Sequence, residues 1–86
     1  MATLHRDSWN GHPVPLGTTF QLTKRKSDHW IQMVCTLQSH QCGWELVLEV
    51  NGVLARSQVC RSRDEVLTVS DDWHAAMMAA GWSEAR

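Results

Sequence analysis

Three cysteines and a histidine are the residues of this 86-residue chain best suited to chemistry. Cys35, His40, Cys42 and Cys60 supply the sulfur and imidazole donors that Zn2+ accepts. Against a metal centre, no two cysteines form a C-x-x-C pair, and His40-x-Cys42 lacks the spacing of a zinc finger. Alternation along residues 29–38 groups Cys35 with apolar residues, and a free cysteine in such a place packs as a small apolar side chain. A nucleophilic thiolate needs positive neighbours and a base. Cys60 alone has the neighbours, Arg61 and Arg63, while the five histidines are scattered without paired carboxylates or a glycine-rich phosphate loop. The expectation is a noncatalytic protein without a cofactor. A zinc-binding protein or zinc enzyme, with Cys35, His40, Cys42 and Cys60 as candidate ligands, is the third of three readings.

The second reading comes from Lys24-Arg25-Lys26, which offers cations for phosphate, with Trp30 nearby as a surface on which a base could stack. Net charge is −1, with four basic and two acidic residues in 1–43 against four basic and seven acidic in 44–86. That balance argues against a nonspecific polyelectrolyte binder and leaves a small local patch.

These residues must be held by strands. The clearest signal is Asn51-Gly52 between the alternating runs Trp44 to Val50 and Val53 to Cys60, the signature of a β-hairpin closed by a type I′ turn. Its register pairs Val50 with Val53, Leu48 with Ala55, Leu46 with Ser57 and Trp44 with Val59. Glu45, Val47, Glu49, Leu54, Arg56 and Gln58 then share the opposite face. Two earlier runs, Thr18 to Lys24 and His29 to Gln38, also alternate. A four-residue loop at Arg25-Lys26-Ser27-Asp28 pairs Leu22 with Ile31 and Phe20 with Met33. A second at Ser39-His40-Gln41-Cys42 pairs Leu37 with Trp44, Cys35 with Leu46, Met33 with Leu48 and Ile31 with Val50. Both registers bring the large apolar residues of four strands to one face, which an error of one residue would scatter.

Residues 1–17, with Asn10-Gly11, Pro13, Pro15 and Gly17, read as an extended arm anchored by Trp9. After Cys60 the period lengthens. Ser62-x-x-Glu65 has the form of a capping box, and Ser70-Asp71-Asp72 is a second start signal, so one helix or a turn leading into a helix both fit. Gly81 suits a helix stop, with Trp82 folding back on Met77. The fold class is α+β: a two-layer domain over 18–86, with a four-stranded antiparallel meander in order 1-2-3-4 and a C-terminal helix on one face. An 86-residue domain has little core to spare, so a second copy could add what one chain lacks.

Two resemblances bear on these readings. A meander of four strands followed by a helix resembles the half-unit of Whirly-type single-strand binders, which implies nucleic-acid binding by topology alone. The pattern Gly43-Trp-Glu-Leu, Ser57-Gln-Val-Cys-Arg-Ser, Asp64-Glu-Val-Leu and Trp73-x-x-Ala-Met-x-x-x-Gly-Trp resembles short bacterial proteins of no known activity; it implies a bacterial or mobile-element origin and no chemistry.

The leading reading is a small binding or regulatory module that meets a protein partner, or a second copy as a homodimer, through the outer sheet face around Trp30, Val34, Val47, Leu54 and Arg56, with Val34 opposite Val47. The alternative, a single-stranded nucleic-acid binder, uses Lys24, Arg25, Lys26 and Trp30. No apolar run at the start fits a signal peptide and no segment approaches the roughly 20 apolar residues that span a bilayer, so no membrane partner and a cytoplasmic location are expected.

Overall fold

Alternation along the chain does produce a meander. The computed structural model describes residues 11–85, so the reading of Trp9 as an anchor lies outside the described residues. Strands β1 (Pro15–Lys26), β2 (His29–His40), β3 (Gly43–Val50) and β4 (Val53–Cys60) are followed by the helix α1 (Arg63–Ala79) and a short strand β5 (Ser83–Glu84). The sheet is antiparallel in order β4-β3-β2-β1-β5. No helix among the described residues is long and apolar enough to cross a membrane.

The hairpins are tighter than the sequence predicts. β1 and β2 pair as far as Lys26 with His29, leaving only Ser27-Asp28 in the turn, with Ser27 at φ 58°. β2 and β3 pair as far as His40 with Gly43, leaving Gln41-Cys42. The expected partners therefore slide by two: Leu22 faces Met33, Phe20 faces Cys35, Cys35 faces Leu48 and Met33 faces Val50. A slide of two keeps every side chain on its predicted face, because the strand repeat is also two. Likewise Val34 stands opposite Glu49 and Val47 opposite Thr36, and the expected Val34–Val47 pair becomes a diagonal one. β1 starts at Pro15, so three residues assigned to the arm belong to the sheet, and bulges between Pro15 and Gly17 and between Thr18 and Phe20 absorb the mismatch.

β4 departs further. The Asn51-Gly52 turn forms as predicted, with φ of 50° and 82°, and Val50 faces Val53. A bulge then inserts Ala55, so Leu48 faces Arg56, Leu46 faces Gln58 and Trp44 faces Cys60. One extra residue exchanges the faces. Arg56 and Gln58 turn to the helix side, Ser57 and Val59 to the outer side, and Cys60 becomes fully buried.

The core lies between one face of the sheet and α1. It contains Phe20, Leu22, Met33, Cys35, Leu46, Leu48, Cys60, Val66 and Trp73, with Leu37, Trp44, Val50, Val69, Met77 and Trp82 packed around them. α1 runs unbroken through Ser70, which is buried. Its start is capped by the Ser62 hydroxyl, which accepts from the Glu65 amide at 3.0 Å, while Glu65 Oε1 accepts from the Arg61 amide at 2.8 Å. Asp64 and Glu65 also place negative charge against the positive end of the helix dipole. At the other end Gly81 takes φ 102°, its amide donates to Met78 O, and the Trp82 amide donates to Met77 O, the paired bonds of a Schellman stop. The last turn has no basic residue of its own. Lys24 of β1 supplies the cation: its Nζ donates to Ala80 O at 3.0 Å and lies 5.9 Å from the centre of the Trp82 ring.

Strand β5 was not legible in the sequence. Ser83 and Glu84 pair with Thr23 and Leu22, and the Ala85 amide donates to Gln21 O, so the chain beyond the helix covers part of the β1 edge. Glu84 Oε2 also bonds His74 Nε2, and the His74 ring meets the Phe20 ring edge-on at 5.1 Å between centroids. Helix and edge strand are thereby fastened together.

Candidate interaction surface

The outer face of the sheet has no covering layer among the described residues, and five-strand alternation decides what stands on it. Reading across the strands, Arg25 lies beside Trp30, Gln21 beside Val34, Val34 beside Glu49, and Glu49 beside Leu54. One step further, Thr36 lies beside Val47 and Val47 beside Ser57. Trp30, Val34, Val47 and Leu54 thus share one face as expected, with Trp30 59% and Leu54 60% exposed and the two valines half-buried. Arg56 does not join them. The Ala55 bulge carries it to the helix side, where its Cζ lies 5.6 Å from the centre of the buried Trp73 ring.

The arginine that does stand with Trp30 is Arg25. Its Cζ lies 5.7 Å from the centre of the Trp30 ring, and its Nε donates to Ser27 O at 3.4 Å, which ties the pair to the turn. The pairing was hidden from a reading that put Arg25 in a four-residue loop; a two-residue turn makes it a strand residue directly across from Trp30. At the far end of the face Gln38 Nε2 donates to Glu45 Oε1 at 2.9 Å.

The basic triplet is divided by the same alternation. Lys24 is drawn to the helix terminus, register places Lys26 on that side as well, and only Arg25 points with Trp30. Lys24, Arg25, Lys26 and Trp30 consequently do not form one continuous phosphate-and-stacking surface.

The four candidate metal ligands also do not converge on one point among the described residues. Cys35 and Cys60 are buried in the core on different strands, while Cys42 is exposed in the β2–β3 turn with its amide donating to His40 Nδ1 at 3.0 Å. No group of three or more His, Cys, Asp and Glu residues among the described residues is placed to hold a metal ion. Burial pushes both buried thiols above their ordinary pKa of 9.0, with the Thr19 hydroxyl partly offsetting this at Cys35 and the Glu65 carboxylate adding to it at Cys60. A raised pKa makes them poorer nucleophiles at neutral pH.

On the helix side an open depression of about 480 Å3 is lined by Leu37, Trp44, Arg63, Val66 and Leu67. Leu37 and Trp44, which the sequence places on the apolar face, pack against the core but stay half-buried, since one helix does not span a five-stranded sheet. No family model, no curated protein and no solved structure matches the chain.

Proposed function

We propose that the protein is a small noncatalytic binding module that acts through the outer face of its sheet, either by self-association or by holding a protein partner. The observation that supports this most is that Trp30 and Leu54 stand 59% and 60% exposed on a face without cover among the described residues, with the half-buried Val34 and Val47 on the same face. Apolar side chains interspersed with Gln32 and Glu49 and rimmed by Gln21, Gln38 and Glu45 have the composition of a surface that a partner covers. Tryptophan and arginine are also the residue types that most often carry binding energy, and the Arg25 guanidinium already lies over the Trp30 ring. The expected setting is the cytoplasm, where the exposed Cys42 thiol stays reduced.

The test is light scattering behind size exclusion on the wild type and on Val34→Glu/Val47→Glu, with circular dichroism as the control for folding. A wild-type dimer, or a complex with an isolated partner, that is lost in a folded double variant supports the reading. Assemblies that survive both glutamates refute it. Labelled single strands titrated in the same buffers check the nucleic-acid alternative, whose affinity would fall steeply with salt.

A further inference from the structure

Opposite charges stand at two separate places on the outer face. Arg25 lies on β1 near the first turn, and Glu49 lies on β3, half-buried and directly across from Leu54. Neither has an ion-pair partner among the described residues. Trp30 links them in register, being across from Arg25 and four residues along β2 from Val34, the neighbour of Glu49. Two strand spacings and four residues of rise separate the two charges by roughly 16 Å, too far for contact within one chain.

We infer that the partner of this face is a second copy of the chain, and that Arg25 of each copy pairs with Glu49 of the other. This rests on the binding reading above and specifies its occupant. A two-fold axis lying in the plane of the face and passing over Gln32, midway between the charges, sets each Arg25 against the opposite Glu49. The same operation lays each exposed Trp30 beside the other copy's Leu54, so two apolar contacts and two ion pairs form at once. Arg25 and Glu49, on either side of the neutral Gln32, make this part of the face complementary to itself, while Glu45 stands four residues further along β3 with Gln38 donating to it. A strongly acidic or strongly basic partner would satisfy one of the two and repel the other.

The test is a charge exchange read by light scattering at low salt, on the wild type, Arg25→Glu, Glu49→Arg and the double variant Arg25→Glu/Glu49→Arg, with circular dichroism confirming that each is folded. Each single variant places like charges in contact and should raise the dimer dissociation constant at least tenfold. The double variant should return it to within about threefold of the wild type. Mixing the two single variants should also give a heterodimer, because every charge then meets its opposite. A double variant no better than the singles, or singles that leave the dimer intact, overturns the pairing even if Val34→Glu/Val47→Glu still dissociates the dimer. A wild type that is monomeric at every concentration tested overturns the inference and leaves the outer face to a different protein, whose capture would still be blocked by Val34→Glu/Val47→Glu.

Discussion

The two faces of one sheet are built from the same strands and have opposite tolerances. On the helix side Leu22, Cys35, Leu46 and Cys60 are fully buried, and each is hemmed in by the helix and by neighbours across the strands. On the outer side the same strands carry Gln21, Val34, Val47 and Val59, none of them fully buried. Stability is concentrated on the first face, which leaves the second able to change without loss of the fold. A binding surface can exist there because the core does not need it.

The sharpest way to break this comparison is to place a lysine on each side of β3 in adjacent residues. Leu48→Lys buries a charge with no counterpart in a position that is 2% exposed. It should cost about 4 kcal/mol or more and leave little native signal in circular dichroism, given that a domain of this size has only about 4–13 kcal/mol in total. Val47→Lys, one residue earlier and across from Thr36, should leave the monomer folded and lower its unfolding free energy by about 1 kcal/mol at most. Equal damage from both would mean that the inside and outside are wrongly assigned.

One position on the tolerant side should refuse substitution for a different reason. Gly43 takes φ 139°, and a Cβ there would lie 2.6 Å from the Cys60 carbonyl oxygen. Gly43→Ala should therefore cost about 2 kcal/mol in a denaturant titration, through the backbone and not through packing. A neutral result would show that β3 and the end of β4 give way at this point.

The smallest effect sharpens the buried side alone. Cys35 and Cys60 hold their protons more tightly folded than unfolded, so between the unfolded value near 9.0 and their raised folded values the native state binds more protons. Stability contributed by the neutral thiols is complete below pH 9.0 and declines as pH rises above it. Denaturant midpoints should fall over this range, and Cys35→Ala/Cys60→Ala, although less stable throughout, should fall less. An unchanged slope in that variant would remove the two thiols as the cause.

How much of this was legible in the chain follows from the physics of strands. The inner face survived two wrong loop lengths because both errors were of two residues, which moves Leu22 from Ile31 to Met33 without turning it over. Ala55 could not be seen as a bulge: Val53 to Cys60 mixes apolar and polar residues closely enough that either phase looks amphipathic. Its consequence was the loss of Arg56 from the outer face, where Arg25 stands with Trp30. β5 has only Ser83 and Glu84 and no period to read; it exists because the Schellman stop aims the chain at the β1 edge and His74 holds it there. Lys24 looked like part of a basic patch because nothing in sequence places it under a helix terminus 56 residues away.

The central claim is that one face holds the chain together while the other is free to receive a second copy of it, and thermal unfolding across a hundredfold range of protein concentration tests it most directly. Association through the outer face predicts a wild-type Tm that rises with concentration, because a partner bound only by the folded state stabilises it by mass action. Val34→Glu/Val47→Glu should melt cooperatively at one temperature whatever its concentration. A wild-type Tm that does not move with concentration, or a double variant that moves in parallel with it, would contradict the account.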